Sequence, residues 1–394
     1  MGYDESTAIQ LSYALTSGYW KVASRCFFNK LECLLFSTKI KDYKVTYHFF
    51  DEIYTNIDWK KDPVQSLPSM YADRARKIRE KYDYVAIMFS GGADSTNVLK
   101  SFIDNNIPID EIITFGAIKV ADKILHEFNK SDKAPKNLMF EYYEAALPMF
   151  NYLKQYHPSI KLTVIDYTTE VLSLIDNSNL HKLFLSGCNI NVNLTGHYLT
   201  YKTVSKHDNS CVVLGIDKPR ILYDKKDGIF KSYFYDFNTI HGHYPKDTFG
   251  DDIARTEYFY YDPEMPYIPV KQCRQLLEHL LPIVDPSHPL HSTVMTDLGH
   301  SYNVDVHSDY VKKLLYPTWN TSIFQVGKHS SQFYGAGTEW LTSTNLTSNK
   351  VKDYYEKQVK ELVVAGVNPG FIVFDENKKP QKFIEMYTKR IPIQ

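Results

Sequence analysis

Hydrophobic and polar positions alternate in an orderly way only after the first 65 residues. Before that point aromatic and charged side chains mix without a clean period. A short helix is expected over 29–36 and a strand over 44–50. Then Leu67, Met70, Tyr71, Ala75, Ile78 and Tyr82 recur at helical spacing, with Pro68 in the first turn, where a missing N–H costs nothing. Residues 84–89 form a short apolar run that predicts a buried strand. The chain turns at Ser90-Gly91-Gly92, a helix is expected from near Asp94, and Asn106-Ile107-Pro108 ends it. A second strand is predicted over 111–115. A helical stretch broken at Ala134-Pro135 and another over 142–156 follow. A third strand is expected over 162–165, a fourth over 182–185 and a fifth over 212–214. Strands alternating with helices predict an α/β fold, a doubly wound parallel sheet covered on both faces.

Two further patterns divide the chain. Residues 221–223 and 229–235 flank Asp227-Gly228, which predicts a β-hairpin, read as an inserted flap. Past residue 250 the alternation stops. Pro263, Pro266 and Pro269 punctuate a loop, and 270–281 and 351–364 read as helices. The expected organisation is a small N-terminal α+β region over 1–66, an α/β domain over 67–245, and a mainly helical C-terminal region over 246–394, serving as a substrate or accessory domain.

Composition narrows the class. A chain of 394 residues is too long for one typical compact domain and suits two or three around a shared cleft. With 43% hydrophobic and 23% charged residues it is neither a disordered nor a membrane-type composition. The net charge of −1 supplies no global field toward nucleic acid or membrane, so a nucleic-acid partner is not indicated by charge. No apolar run reaches the roughly 20 residues of a spanning helix. The start, Met1-Gly2-Tyr3-Asp4-Glu5, is polar and acidic, unlike a signal peptide. Thr7 lies one place too late for a myristoylation signal on Gly2. Cys26, Cys33, Cys188, Cys211 and Cys273 are odd in number and contain no C-x-x-C pair, which favours reduced thiols over disulfides or a zinc knuckle. The expected location is the cytoplasm.

The stretch that carries chemistry is Ser90-Gly91-Gly92-Ala93-Asp94-Ser95, between a predicted strand and a predicted helix. A phosphate loop needs glycines that let the backbone approach phosphate oxygens. It needs a helix N-terminus, whose open N–H groups and dipole favour an anion. Hydroxyls add hydrogen bonds, and a carboxylate can hold the Mg²⁺ that accompanies a nucleotide. The bland alternative is a glycine-rich turn with a Ser or Asp helix cap. Other nucleotide motifs are missing: Gly327-Lys328 is followed by His329, so there is no Walker A. Gly335-Ala336-Gly337 does not continue as a dinucleotide fingerprint, and no G-x-S-x-G occurs.

This hexapeptide matches the SGGxDS signature of the PP-loop ATP pyrophosphatases, the superfamily of asparagine, GMP, NAD, argininosuccinate and tRNA-lysidine synthetases. The resemblance covers roughly residues 67–200. It implies a fold of the adenine-nucleotide α-hydrolase type and cleavage of ATP between its α and β phosphates. The asparagine-synthetase-like branch is the nearest, because Leu185-Ser186-Gly187 resembles its second loop. That branch continues with acidic residues, whereas Cys188, Asn189, Asn191 and Asn193 follow here. Residues 79–110 and the stretch Asp217-Lys218-Pro219-Arg220 also resemble bacteriophage members, which would place the protein in a host cytoplasm. Carried over, the resemblance implies that Ser90, Gly91, Gly92, Ala93 and Ser95 cradle the β,γ-pyrophosphate and that Asp94 holds Mg²⁺. It puts the backbone of Phe115-Gly116-Ala117 against the adenine, with Ser186 and Gly187 lining the pocket.

Weaker candidates follow from position. Lys218 and Arg220, after an apolar strand, would meet the pyrophosphate or an acidic substrate, or would be a solvated strand exit. Asp166 ends the third strand, at the edge where open sheets bind ligands, and would contact Mg²⁺ or serve as a turn residue. Glu141 with Glu144, the trio His241, His243 and Asp247, the aromatic run over 258–261, and Lys271, Arg274 and Lys328 read more simply as surface or packing positions.

The expected reaction is adenylation of a carboxylate or carbonyl oxygen, followed by displacement of AMP by ammonia or an amine. With no cysteine before Cys26, nitrogen would come from ammonia, an amine or a separate glutaminase. Adenylation-dependent nucleobase modification of tRNA or DNA is the second reading, and an inactive nucleotide-binding or structural protein the third. The sequence does not name the acceptor.

Overall fold

The computed structural model describes residues 2–15, 17–40, 44–116, 118–119, 141–176, 184–185, 189–190, 193–216, 218–236, 254–316, 372–374, 380–383 and 386–394. The N-terminal part contains α1 (Glu5–Leu15), β1 (Tyr19–Val22), β2 (Arg25–Phe27), α2 (Lys30–Lys39), β3 (Thr46–His48) and α3 (Asp51–Tyr54). Its strands form an antiparallel sheet in the order β2-β1-β3. The helix expected over 29–36 is therefore longer, and the strand over 44–50 shorter, than their patterns suggest.

The central layer starts with α4 (Leu67–Lys81). Ser66 caps it by accepting from the Ser69 N–H, Pro68 occupies the first turn, and the predicted apolar face is buried. The sheet then takes β4 (Tyr84–Met88), β5 (Glu111–Gly116), β6 (Lys161–Asp166), β9 (Ser210–Leu214) and β12 (Arg255–Tyr258). In space the order is β6-β5-β4-β9-β12, and every pairing is parallel. Relative to the chain this is 3-2-1-4-5, a Rossmann-like order. Between β4 and β5 lies α5 (Ala93–Ile103). A π-helical turn (Glu141–Ala146) runs into α6 (Leu147–Tyr156) before β6, and α7 (Thr168–Asp176) and α8 (Asn193–Val204) precede β9. Connections leave β4 toward β5 and return past it to β9, so right-handed crossovers place their helices on opposite faces. Four strands agree with the sequence reading: the apolar runs of β4, β5 and β9 are largely buried, as the inner strands of a covered parallel sheet require, and β6, at the edge, is only partly buried.

Two expectations are corrected. Within 182–185, β7 (Phe184–Leu185) pairs antiparallel with β8 (Asn189–Ile190) and is not a strand of the central sheet. Two strands separated by three residues must reverse direction, which a parallel neighbour cannot do. The fifth place belongs to β12, so the sheet draws strands from both sides of residue 245.

The hairpin about Asp227-Gly228 is present as β10 (Arg220–Asp224) and β11 (Ile229–Tyr233), but it is no isolated flap. It sits inside a five-stranded sheet with β13 (Met295–Asp297), β14 (Ser301–Val304) and β17 (Ile391–Pro392), in the order β13-β14-β10-β11-β17. The C-terminal region is accordingly mixed. It holds α9 (Tyr267–Leu280), α10 (His291–Val294) and α11 (Asp309–Leu315), these strands, and the pair β15 (Ile372–Phe374) and β16 (Pro380–Phe383). Pro269 lies inside the first turn of α9, where no intrahelical N–H is needed. The helix expected over 351–364 lies outside the described residues.

Buried charges lock these layers. Arg74 of α4 donates to Glu257 of β12 at 2.6 Å and pairs with Asp262 at 2.6 Å, while Lys81 (2.8 Å) and the Tyr82 hydroxyl (2.6 Å) reach the other Glu257 oxygen. Lys30 pairs with Asp236 at 2.6 Å, and Trp20 Nε1 donates to the same carboxylate at 3.0 Å, tying the N-terminal part to the end of the hairpin. Burial pushes the Asp236 carboxyl up against the pull of the Lys30 ammonium.

Candidate active site

The order of the central sheet fixes where a ligand can enter. From the adjacent strands β4 and β9 the chain runs on to neighbours on opposite sides, β5 and β12, which marks the carboxyl ends of these two strands as the switch point where such sheets open a crevice. Ser90-Gly91-Gly92-Ala93-Asp94-Ser95 occupies this point, between β4 and α5. Gly91 has φ +72°, and a methyl there would fall 2.4 Å from Ala145 Cβ. No other residue suits both the left-handed backbone and the close approach. At the end of β9 a methyl on Gly215 would come within 3.0 Å of the Asp94 carbonyl carbon and the Ser95 nitrogen. The loop is thus set against two neighbouring backbones.

Gly92 is the N-cap of α5 and provides no side-chain cap. The first helical bond runs from the Thr96 N–H to the Gly92 carbonyl at 2.9 Å. The N–H groups of Ala93, Asp94 and Ser95 precede it and have no partner within the helix. The hydroxyls gather at the same place. Ser90 Oγ lies 3.3 Å from Ser95 Oγ and accepts from the Gly92 N–H at 3.2 Å, and Ser95 Oγ is 3.2 Å from the Gly92 carbonyl oxygen. Main-chain donors, two hydroxyls and a positive helix end facing one crevice form an anion-binding arrangement.

Asp94 carries the charge of the site. Its Oδ1 accepts from the buried Lys218 ammonium and from the Tyr316 hydroxyl. Its carbonyl accepts from the Tyr260 hydroxyl at 2.9 Å, and Asn97 Nδ2 in turn donates to Tyr260 at 3.0 Å. The Lys218 side chain is fully buried while that of Asp94 remains 23% exposed. Burial, then the nearby Asp94 charge, holds the Tyr260 and Tyr316 phenols well above their ordinary range, so both stay protonated donors.

The other predicted residues divide. Lys218 joins the loop, but Arg220, two residues on, lies over the Tyr235 ring at 4.5 Å and donates to its hydroxyl at 2.8 Å. Asp166 ends β6, in register with Gly116. Its Oδ1 accepts from the Thr168 N–H at 3.0 Å, and Oδ2 stands 3.9 Å from the Lys119 ammonium. It therefore starts α7 two strands away from β4. The Phe115 ring packs against Gly196 and lies 5.1 Å from the His197 ring, and the Gly116 carbonyl accepts from the Tyr167 N–H at 3.1 Å. Ala117, Ser186, Gly187, Cys188, His241, His243, Asp247 and Lys328 lie outside the described residues.

Tyr258, Phe259, Tyr260 and Tyr261 are core, as their aromatic run suggests. Lys271 pairs with Asp62 at 2.7 Å and Arg274 donates to the Ile393 carbonyl at 2.7 Å, both structural contacts. Tyr316 carried no signal in its own neighbourhood. Tyr260 was visible only as one ring in an aromatic run.

Among the described residues no group of three His, Cys, Asp or Glu side chains could hold a metal. The donor set fits Mg²⁺ arriving with a nucleotide, which takes one or two carboxylates and completes its shell with phosphate oxygens and water. Asp94 Oδ1 takes both of the side-chain hydrogen bonds from Lys218 and Tyr316, which leaves Oδ2 for a cation, and the side chain is 23% exposed. No protein-family model matches the chain, and no curated protein matches it in sequence. The observations define a Rossmann-like α/β protein with a glycine-rich loop at the switch point of its sheet. Among the described residues no helix is long and apolar enough to cross a membrane.

Proposed function

We propose that the chain is an ATP pyrophosphatase of the PP-loop type, with the fold variant of the adenine-nucleotide α-hydrolases, that activates its acceptor as an adenylate. The observation that carries this reading is the union of the SGGxDS sequence with an uncapped helix start at the switch point. The N–H groups of Ala93, Asp94 and Ser95 and the Ser90 and Ser95 hydroxyls bind the β,γ-phosphates. Lys218, already beside Asp94, supplies a fixed positive charge where negative charge grows on the leaving group. Mg²⁺, held by Asp94 Oδ2, would screen the phosphate charge.

In the reaction an acceptor oxygen attacks the α-phosphorus and the bond to the bridging oxygen breaks. Pyrophosphate leaves with the electron pair. Ammonia or an amine then displaces AMP. The chain's task is alignment and charge compensation, and no protein nucleophile is required. Burial pushes the thiol of Cys26 up to about 11 and those of Cys33 and Cys273 up to about 12, and raises that of Cys211 well above its usual value. These four described thiols are poor nucleophiles, in keeping with nitrogen arriving as ammonia, as an amine or from a separate glutaminase.

Asp94→Asn tests the assignment. Pyrophosphate release, measured by a coupled assay with a mixture of carboxylate acceptors and ammonia, should fall at least about a hundredfold. Unchanged release in the variant would remove Asp94 from the site.

A further inference from the structure

We infer that Tyr316 is a positioning residue for Asp94, and that with Tyr260 it makes the C-terminal half of the chain part of the nucleotide site. The inference rests on the proposal that the loop binds Mg²⁺ with ATP. It goes beyond that proposal by assigning a role to side chains that lie far outside the loop's sequence. Tyr316 follows α11, 222 residues from the aspartate it meets. Tyr260 follows β12, 166 residues away.

The geometry is a two-point clamp. Tyr316 and Lys218 both donate to Oδ1, which saturates the two lone pairs of that oxygen. Tyr260 holds the carbonyl of the same residue. Side chain and main chain of Asp94 are thus fixed independently, and the carboxylate can turn only by breaking a bond to a charged group. Oδ2 is left as the oxygen available to a cation.

The clamp is itself rigid. The Tyr316 ring lies 5.8 Å from that of Tyr260 and 6.4 Å from that of Tyr71, and the Lys218 ammonium sits 5.5 Å from its centre. Gln272 of α9 donates to the Tyr71 hydroxyl at 3.0 Å, extending the support into the C-terminal helices. Fixed carboxylates bind a cation without the cost of first ordering the side chain.

Tyr316→Phe removes the hydroxyl and keeps the ring. The probe is a fluorescent α,β-methylene analogue of ATP, which cannot be cleaved between those phosphates. Mg²⁺ is titrated at fixed analogue, and polarisation is read for the wild type, Tyr316→Phe and Tyr260→Phe. Thermal melting is recorded in parallel. The half-saturating Mg²⁺ concentration should rise about tenfold in Tyr316→Phe, the scale of one hydrogen bond to a charged group, with little change in melting temperature. A smaller rise is expected in Tyr260→Phe, which decides the matter if Tyr316→Phe does not fold.

A merely structural tyrosine would lower the melting temperature and leave the Mg²⁺ midpoint where it is, and that result overturns the inference. Absence of Mg²⁺-dependent binding in the wild type would instead overturn the ATP reading on which it rests.

Discussion

At the scale of single residues, Gly91 is the most demanding position in the site. Its φ of +72° is costly for any side chain, and a methyl would overlap Ala145 of the π-helical turn. Gly91→Ala should destabilise the protein by about 1–3 kcal/mol and also abolish nucleotide binding, because relief of the clash must move the loop. Urea unfolding and analogue binding measure the two effects. A variant of wild-type stability that still binds would show that the loop does not depend on this backbone. Much of the site was legible at this scale. Ser90 to Ser95 announced themselves because a loop that approaches phosphate needs glycines, hydroxyls and a helix start within a few residues. Lys218 was legible as a basic residue after an apolar strand. Arg220 had the same signature, and the difference lies in Tyr235, which holds its guanidinium. Tyr316 was illegible, since a tyrosine 222 positions from the aspartate it meets looks in sequence like any core tyrosine.

At the scale of elements, the central strands that could be read were those with a continuous apolar run, buried in β4, β5 and β9 and partly buried in the edge strand β6. Within the central sheet the one that could not was β12, whose sequence Arg-Thr-Glu-Tyr lacks such a run. Glu257 is tolerated inside because Arg74, 183 residues earlier, reaches it. Burial opposes the charge on Glu257, but Arg74, Lys81 and Tyr82 outweigh burial and hold its carboxyl below the ordinary glutamate value. A depressed carboxyl contributes stability above its unfolded value, and that contribution is lost as pH falls through the folded one. The wild type should therefore lose stability as the pH drops below about 4.5. Glu257→Gln should be less stable at neutral pH by about 3 kcal/mol, since it leaves Arg74 with one carboxylate fewer. Its acid limb should be shallower. Chemical denaturation at several pH values gives both quantities, and parallel limbs for the two proteins would show that Glu257 is not what couples α4 to β12.

At the scale of the whole molecule, the main hydrophobic core of the described residues runs from Trp20 to Ile393, beside a small cluster of Ala8, Tyr19 and Cys26. The hairpin that looked like an appendage is the middle of a second sheet, and residues after 254 supply a strand of the first. This arrangement explains how a loop near residue 90 comes to be held by side chains near 218, 260 and 316. It also brings Lys218, Tyr260 and Tyr316 together on Asp94 beside the ends of β4 and β9.

The central claim is that this crevice splits ATP between its α and β phosphates. The direct measurement is chromatography of the nucleotide products from ATP labelled on the α-phosphate, incubated with the purified chain, Mg²⁺, ammonia and a pool of carboxylate acceptors. Labelled AMP with an equal amount of pyrophosphate, lost in Asp94→Asn, is the predicted result. Labelled ADP with inorganic phosphate as the primary products would contradict it.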